Sequence, residues 1–78
     1  MKYIEELQAG ETFVLDKENF IITSDFKANG NRLAYSLKNG YPKWISSDAA
    51  VKIEPIYILD EEQNISPVFE YKKDEDTE

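Results

Sequence analysis

Two Asn-Gly pairs stand ten residues apart, Asn29-Gly30 and Asn39-Gly40, on either side of a stretch that alternates apolar and polar residues. Asn tolerates positive φ and Gly adopts it freely, so Asn-Gly between alternating segments is the strongest short-range signal for a hairpin with a two-residue turn. Two such turns in succession commit the chain to a tightly wound β-meander. The strand between them, Arg32 to Leu37, places Leu33, Tyr35 and Leu37 on one face.

The flanking segments read the same way. Glu11 to Asp16 alternates, with Phe13 and Leu15 opposed to Thr12 and Val14, and the polar cluster Asp16-Lys17-Glu18-Asn19 marks a turn. Phe20 to Phe26 is rich in β-formers, and Pro42 can begin the strand that continues through Lys43-Trp44-Ile45-Ser46, because no ladder donor is needed at a first residue. Lys2 to Leu7 predicts a short helical lead-in, cut off by Gly10. Ser47 to Ala50 predicts a 3₁₀ turn capped by Ser47 or Asp48. Val51 and Ile53 resume the alternation, and the apolar run Ile56-Tyr57-Ile58-Leu59 predicts a strand buried on both sides. A turn at Asp60 to Asn64 folds Ile65 to Phe69 back onto it as an edge strand, since Pro67 cannot donate to a central ladder. Glu70 to Glu78 is almost wholly charged and predicts a disordered acidic tail.

The expected fold is thus mostly all-β. It is a small SH3-like barrel or strongly bent antiparallel meander of five to six short strands over residues 1–69, with one short helical turn and a flexible tail at 70–78. An OB-like barrel fits less well, because only the residues around Ser47 to Ala50 are available for the helix that fold usually carries. Ile4, Leu7, Gly10-Glu11-Thr12-Phe13, Phe20-Ile21-Ile22-Thr23-Ser24-Asp25-Phe26, Asn29-Gly30-Asn31-Arg32 and Gly40 with Trp44 and Asp48 form a pattern over about residues 4 to 60. In this pattern the chain resembles small uncharacterised proteins encoded by tailed bacteriophages. The resemblance implies an SH3-like fold and a viral origin. It rests on turn and core positions and implies no site residues.

With 78 residues the core must be small, and stability must come from packing, to which four Phe, five Tyr and one Trp contribute. There is no Cys for a disulfide or thiolate and no His for zinc or near-neutral proton transfer. No apolar run is long enough for a membrane span, and Met1 to Glu6 lacks the apolar core of a signal peptide, so a cytoplasmic location is expected, which is that of the host cell if the chain is phage-encoded as the resemblance implies. The sequon Asn64-Ile65-Ser66 then has no glycosylating context.

The formal net charge of −7 is unevenly distributed. Residues 1–59 hold eight acidic and seven basic side chains, and the remaining acidity is C-terminal. Between Asp25 and Asp48 no carboxylate occurs, while Lys27, Arg32, Lys38 and Lys43 all fall there. The meander is locally basic inside an acidic protein.

Catalysis finds no support in the residues. Asp60, Glu61 and Glu62, like Asp74-Glu75-Asp76, lack the spacing of a calcium loop and read as solvated charge. Ser24-Asp25 and Ser46-Ser47-Asp48 put hydroxyls beside carboxylates without a His or a nucleophile elbow, and read as turn and cap chemistry. Phosphate-loop and dinucleotide signatures are absent. A non-enzymatic binding protein without a cofactor is therefore expected.

The expected partner is a host protein, which binding inhibits where it covers a functional surface. Aromatic and Arg side chains are common interface anchors, and acidic surfaces can occupy sites built for phosphates. The candidate contacts are Arg32, Tyr35, Tyr41 and Trp44, with Asp60, Glu61 and Glu62 as a secondary surface. The alternative is a nucleotide or nucleic acid on the basic, aromatic meander between Lys27 and Trp44, against which stands a sequence pI near 4.5. A homo-oligomer through the edge strand Ile65 to Phe69 is a further expectation, opposed by Pro67.

Overall fold

The computed structural model of the chain describes residues 1–70. The expected charged tail, from position 71 onward, lies outside the described residues. Antiparallel strands make up nearly all of the regular structure. β1 (Lys2–Tyr3) leads into a single 3₁₀ turn (Ile4–Glu6), followed by β2 (Thr12–Leu15), β3 (Glu18–Phe26), β4 (Arg32–Ser36), β5 (Pro42–Ile45) and β6 (Ala50–Ile53). These six strands form one sheet in the order β1-β6-β2-β3-β4-β5. Among the described residues, β7 (Tyr57–Leu59) and β8 (Ile65–Pro67) pair only with each other. The all-β class and the antiparallel meander are those read from the sequence. The sheet stays open: β1 and β5 form its two edges and, among the described residues, no ladder closes it into a barrel.

Alternation within the strands decides the two faces of this sheet. Phe13 and Phe20 sit opposite each other in the β2–β3 register and stack with ring centroids 5.5 Å apart. On the same face lie Ile22, Ala34, Ile45 and Val51, all buried, and the lead-in covers them with Ile4 and Leu7. An irregularity in the β3–β4 register between Ile22 and Phe26 increases the local bend, as a bulge does. The lead-in is held by backbone bonds from Ile4 N–H to the Ala49 carbonyl and from Glu5 N–H to the Ser47 carbonyl, 2.9 and 3.0 Å.

The lead-in is one 3₁₀ turn, shorter than the helix read there, because Tyr3 is still paired with Ala50 and Leu7 is already extended. At Ser47 the expected 3₁₀ turn is a single tight turn. Ala49 N–H donates to the Ser46 carbonyl, the Ser46 hydroxyl donates to the Asp48 carboxylate, and the chain re-enters the sheet at Ala50.

The hairpin turns differ from expectation in an instructive way. Asn29 and Asn39 do not take positive φ; only their glycines do, Gly30 at +93° and Gly40 at +78°. Gly30 N–H donates to the Lys27 carbonyl and Lys27 N–H to the Asn31 carbonyl, which makes a three-residue loop with a left-handed third residue. Gly40 N–H reaches back to the Ser36 carbonyl, closing a four-residue loop. In both, the Asn side chain caps the turn by accepting from the backbone two residues on, Asn31 N–H and Tyr41 N–H respectively. The true two-residue turn with both φ positive is Asp16-Lys17, at +53° and +67°, between Leu15 and Glu18.

The run Ile56 to Leu59 is not buried on both sides. Past Pro55 the chain leaves the main sheet, and Tyr57, Ile58 and Leu59 are each more than half exposed. The core is already filled by the larger sheet, so the β7–β8 hairpin projects from it. Its base is anchored where Phe69 lies against Gly10, close enough that a Cβ on Gly10 would sit 3.1 Å from the ring.

Candidate functional site

β4 carries the informative asymmetry. Its inward positions are small or polar: Ala34 is fully buried, and the Ser36 hydroxyl donates to the Glu18 carboxylate. Its bulky residues, Leu33 and Tyr35, point to the opposite, outer face of the sheet. Register then adds their neighbours, because cross-strand partners share a face. Leu33 pairs with Trp44 and Tyr35 with Pro42 on β5, while Tyr35 pairs with Ile21 on β3. The outcome is a stripe of Ile21, Leu33, Tyr35, Pro42 and Trp44 across three strands. Leu33 is 8% exposed beneath it, whereas Tyr35 and Trp44 keep 39% and 40% of their surface open. These two rings are therefore surface residues and not core.

Lys27, from the β3–β4 loop, places its ammonium 4.6 Å from the centroid of the Trp44 ring. This cation–π contact fixes the indole and leaves a positive charge at the end of the stripe. Lys43 points to the other side of β5, with its ammonium 5.9 Å from the Phe20 ring. Lys38 lies in the β4–β5 loop. Arg32 is an inward residue. Its Nη1 donates to the Ile4 and Leu7 carbonyls at 3.1 and 2.9 Å, and its Nη2 to the Thr23 carbonyl at 2.7 Å. The basic stretch seen in the sequence is thus dispersed: one cation on the outer face, one inside, one in a loop and one on the opposite side.

Among the residues singled out from sequence, the structure brings Tyr35 and Trp44 together. Tyr41 is 71% exposed in the β4–β5 loop and lies apart from them, beside a shallow cavity of about 230 Å³ lined with Glu18, Phe20, Ser36, Asn39, Pro42 and Lys43. A polar groove of about 580 Å³ runs between the Asp16-Lys17 turn and Lys38. Asp60, Glu61 and Glu62 form the tip of the β7–β8 hairpin, all exposed, and the Asp60 carboxylate accepts from Glu62 N–H and Asn64 N–H at 2.9 and 2.8 Å. Asp60 therefore acts as the cap of its turn. Among the described residues no group of three or more acidic side chains is placed to hold a metal ion.

Sequence reasoning missed Ile21, Leu33 and Pro42 as members of the face. Alternation did put Leu33 and Tyr35 together, but it could not say which side faced out. Usually the larger apolar set faces the core, and here the smaller set does. Among the described residues no helix is long and apolar enough to cross a membrane. No family model, no curated protein and no solved structure matches this chain.

Proposed function

We propose that the protein is a non-catalytic binding module whose outer β3–β4–β5 face, centred on Tyr35 and Trp44, docks another protein. The observation that supports this is the outer face of β4 and β5, where Tyr35 and Trp44 stay 39% and 40% exposed over the buried Leu33 while the small residues of β4, Ala34 and Ser36, face the core. Rigid, half-exposed aromatic rings on a strand scaffold contribute large contact area at low entropic cost, and such rings dominate interface energetics. The resemblance of residues 4 to 60 to phage proteins supplies the partner class: a protein of a bacterial host, which such docking would inhibit wherever the covered surface is functional.

A nucleotide or nucleic acid is disfavoured on this face. A base stacking on Trp44 must displace the Lys27 ammonium from that side of the ring, and the Arg32 guanidinium is committed to three internal carbonyls.

The test is capture from bacterial lysate after nuclease treatment, at low and high salt, with wild type beside Tyr35→Thr/Trp44→Thr. A partner retained by wild type and lost by the double variant, with the sheet's circular dichroism unchanged, is the expected result. Recovery that disappears with nuclease, or a partner held equally by the double variant, overturns the proposal. Trp44 fluorescence should stay unquenched by mixed nucleotides at about 1 mM, a level that would populate a site of ordinary affinity.

A further inference from the structure

The β7–β8 hairpin exposes apolar side chains on both of its faces. Register sorts them: Tyr57, Leu59, Ile65 and Pro67 share one face, and Ile58 and Ser66 lie on the other. Tyr57, Ile58, Leu59 and Ile65 are between 54% and 70% exposed. No charged residue occurs from Pro55 to Leu59 or from Ile65 to Phe69.

The hydrogen-bond phase of the hairpin shows which of its edges is open. Asp60 N–H donates to the Asn64 carbonyl, and Val68 N–H to the Ile56 carbonyl. Antiparallel pairs alternate between bonded and non-bonded, so Ile58 and Ser66 form the bonded pair between these two. Tyr57–Pro67 and Leu59–Ile65 are then non-bonded pairs whose backbone groups point out of the hairpin. On the β8 side Pro67 has no N–H to offer, which blunts that edge. On the β7 side, Tyr57 and Leu59 each turn an N–H and C=O outward that bond to nothing among the described residues, and Pro55 ends the open stretch. The open edge is β7, and not the Ile65 to Phe69 strand on which self-pairing was expected from sequence.

From this phase we infer that β7 pairs with β7 of a second copy, antiparallel about a twofold axis through Ile58. The edge is self-complementary in that register. Tyr57 meets Leu59 of the other copy, both with outward N–H and C=O, and the symmetry-related pair repeats the contact, so all the outward groups between the two residues are satisfied. Ile58 faces its own symmetry mate in the close, non-bonded position. The resulting four-stranded sheet carries apolar residues on both faces. The acidic tips at Asp60 to Glu62 fall at opposite ends, where an antiparallel arrangement keeps them apart. A second copy fits better than a charged peptide because the strands themselves offer no charge to select one. Only a few hundred Å² per copy would be covered, against the ~800 Å² of a standard interface, so the dimer is a weak one. Each copy carries −7, and screening of that repulsion by salt strengthens it.

Sedimentation velocity and amide hydrogen exchange between about 10 µM and about 1 mM test the inference over the range of weak association. Wild type is expected to shift toward dimer with concentration, more so at high salt, with Tyr57 and Leu59 amides becoming protected in step. Ile58→Lys, which puts two ammonium groups on the axis, and Leu59→Pro, which removes one donor per copy, should each abolish the shift while Trp44 fluorescence stays native. A strictly monomeric wild type at the highest concentration overturns it. So does a dimer that persists in both variants, or one whose formation leaves the Tyr57 and Leu59 amides unprotected.

Discussion

Arg32 shows how a single side chain can belong to the scaffold while looking like a contact residue. Its guanidinium joins the lead-in, through Ile4 and Leu7, to β3, through Thr23, and so closes one end of the open sheet with three hydrogen bonds. Removing it leaves three carbonyls without that donor, and charged donors to backbone are worth more than neutral ones. Arg32→Ala should cost about 2–3 kcal/mol in urea unfolding. Arg32→Lys should recover only part of this, because one ammonium cannot reproduce the planar fork. From sequence, Arg32 grouped with Tyr35 and Trp44 because all lie in the carboxylate-free stretch. Side-chain direction was the missing information: Arg32 shares the inward face with Ala34 and Ser36, and only the tertiary position of β4 reveals that this smaller set is the buried one.

At the level of elements, the strands were legible and the turns only partly so. The alternation of Phe13 and Leu15 and of Leu33 and Tyr35 located β2 and β4, because period two is a local property of the backbone. Turn type depends on loop length, which register sets. Asn-Gly therefore appeared in longer loops, with Gly in the left-handed position and Asn as side-chain cap, while the two-residue turn fell on Asp16-Lys17. Lys17 at φ +67° holds a conformation that costs an L-residue roughly 1–2 kcal/mol. Lys17→Gly is expected to raise stability by about 0.5–1 kcal/mol after the added freedom of the unfolded chain is subtracted, as thermal or urea unfolding would show. The loop at Asp60 to Asn64 repeats the arrangement of Lys27 to Asn31, with Gln63 at φ +69° where Gly30 stands at +93°. Without a glycine to announce it, that likeness could not be read in advance.

Across the whole molecule, the six-stranded sheet and the projecting hairpin differ in what holds them. The core residues all belong to the larger sheet or its lead-in, and the hairpin contributes none of them. Regions with few buried contacts open at lower free energy than the core. At dilution, the Ile58 amide should exchange roughly tenfold or more faster than the Ile22 amide, which donates to Glu11 at 3.0 Å inside the sheet. Equal rates would mean that hairpin and sheet unfold together. The apolar run at Ile56 to Leu59 misled because hydrophobicity reports a wish for cover without saying whether the cover comes from the same chain. The small inward residues of β4 have a last implication. Ala34 and Ser36 are committed to the core, whereas Tyr35, one position along, and the neighbouring Trp44 leave 39% and 40% of their surface open. Such a strand lets the exposed face be rewritten, residue by residue, to follow a changing counterpart, while the architecture beneath it is inherited intact.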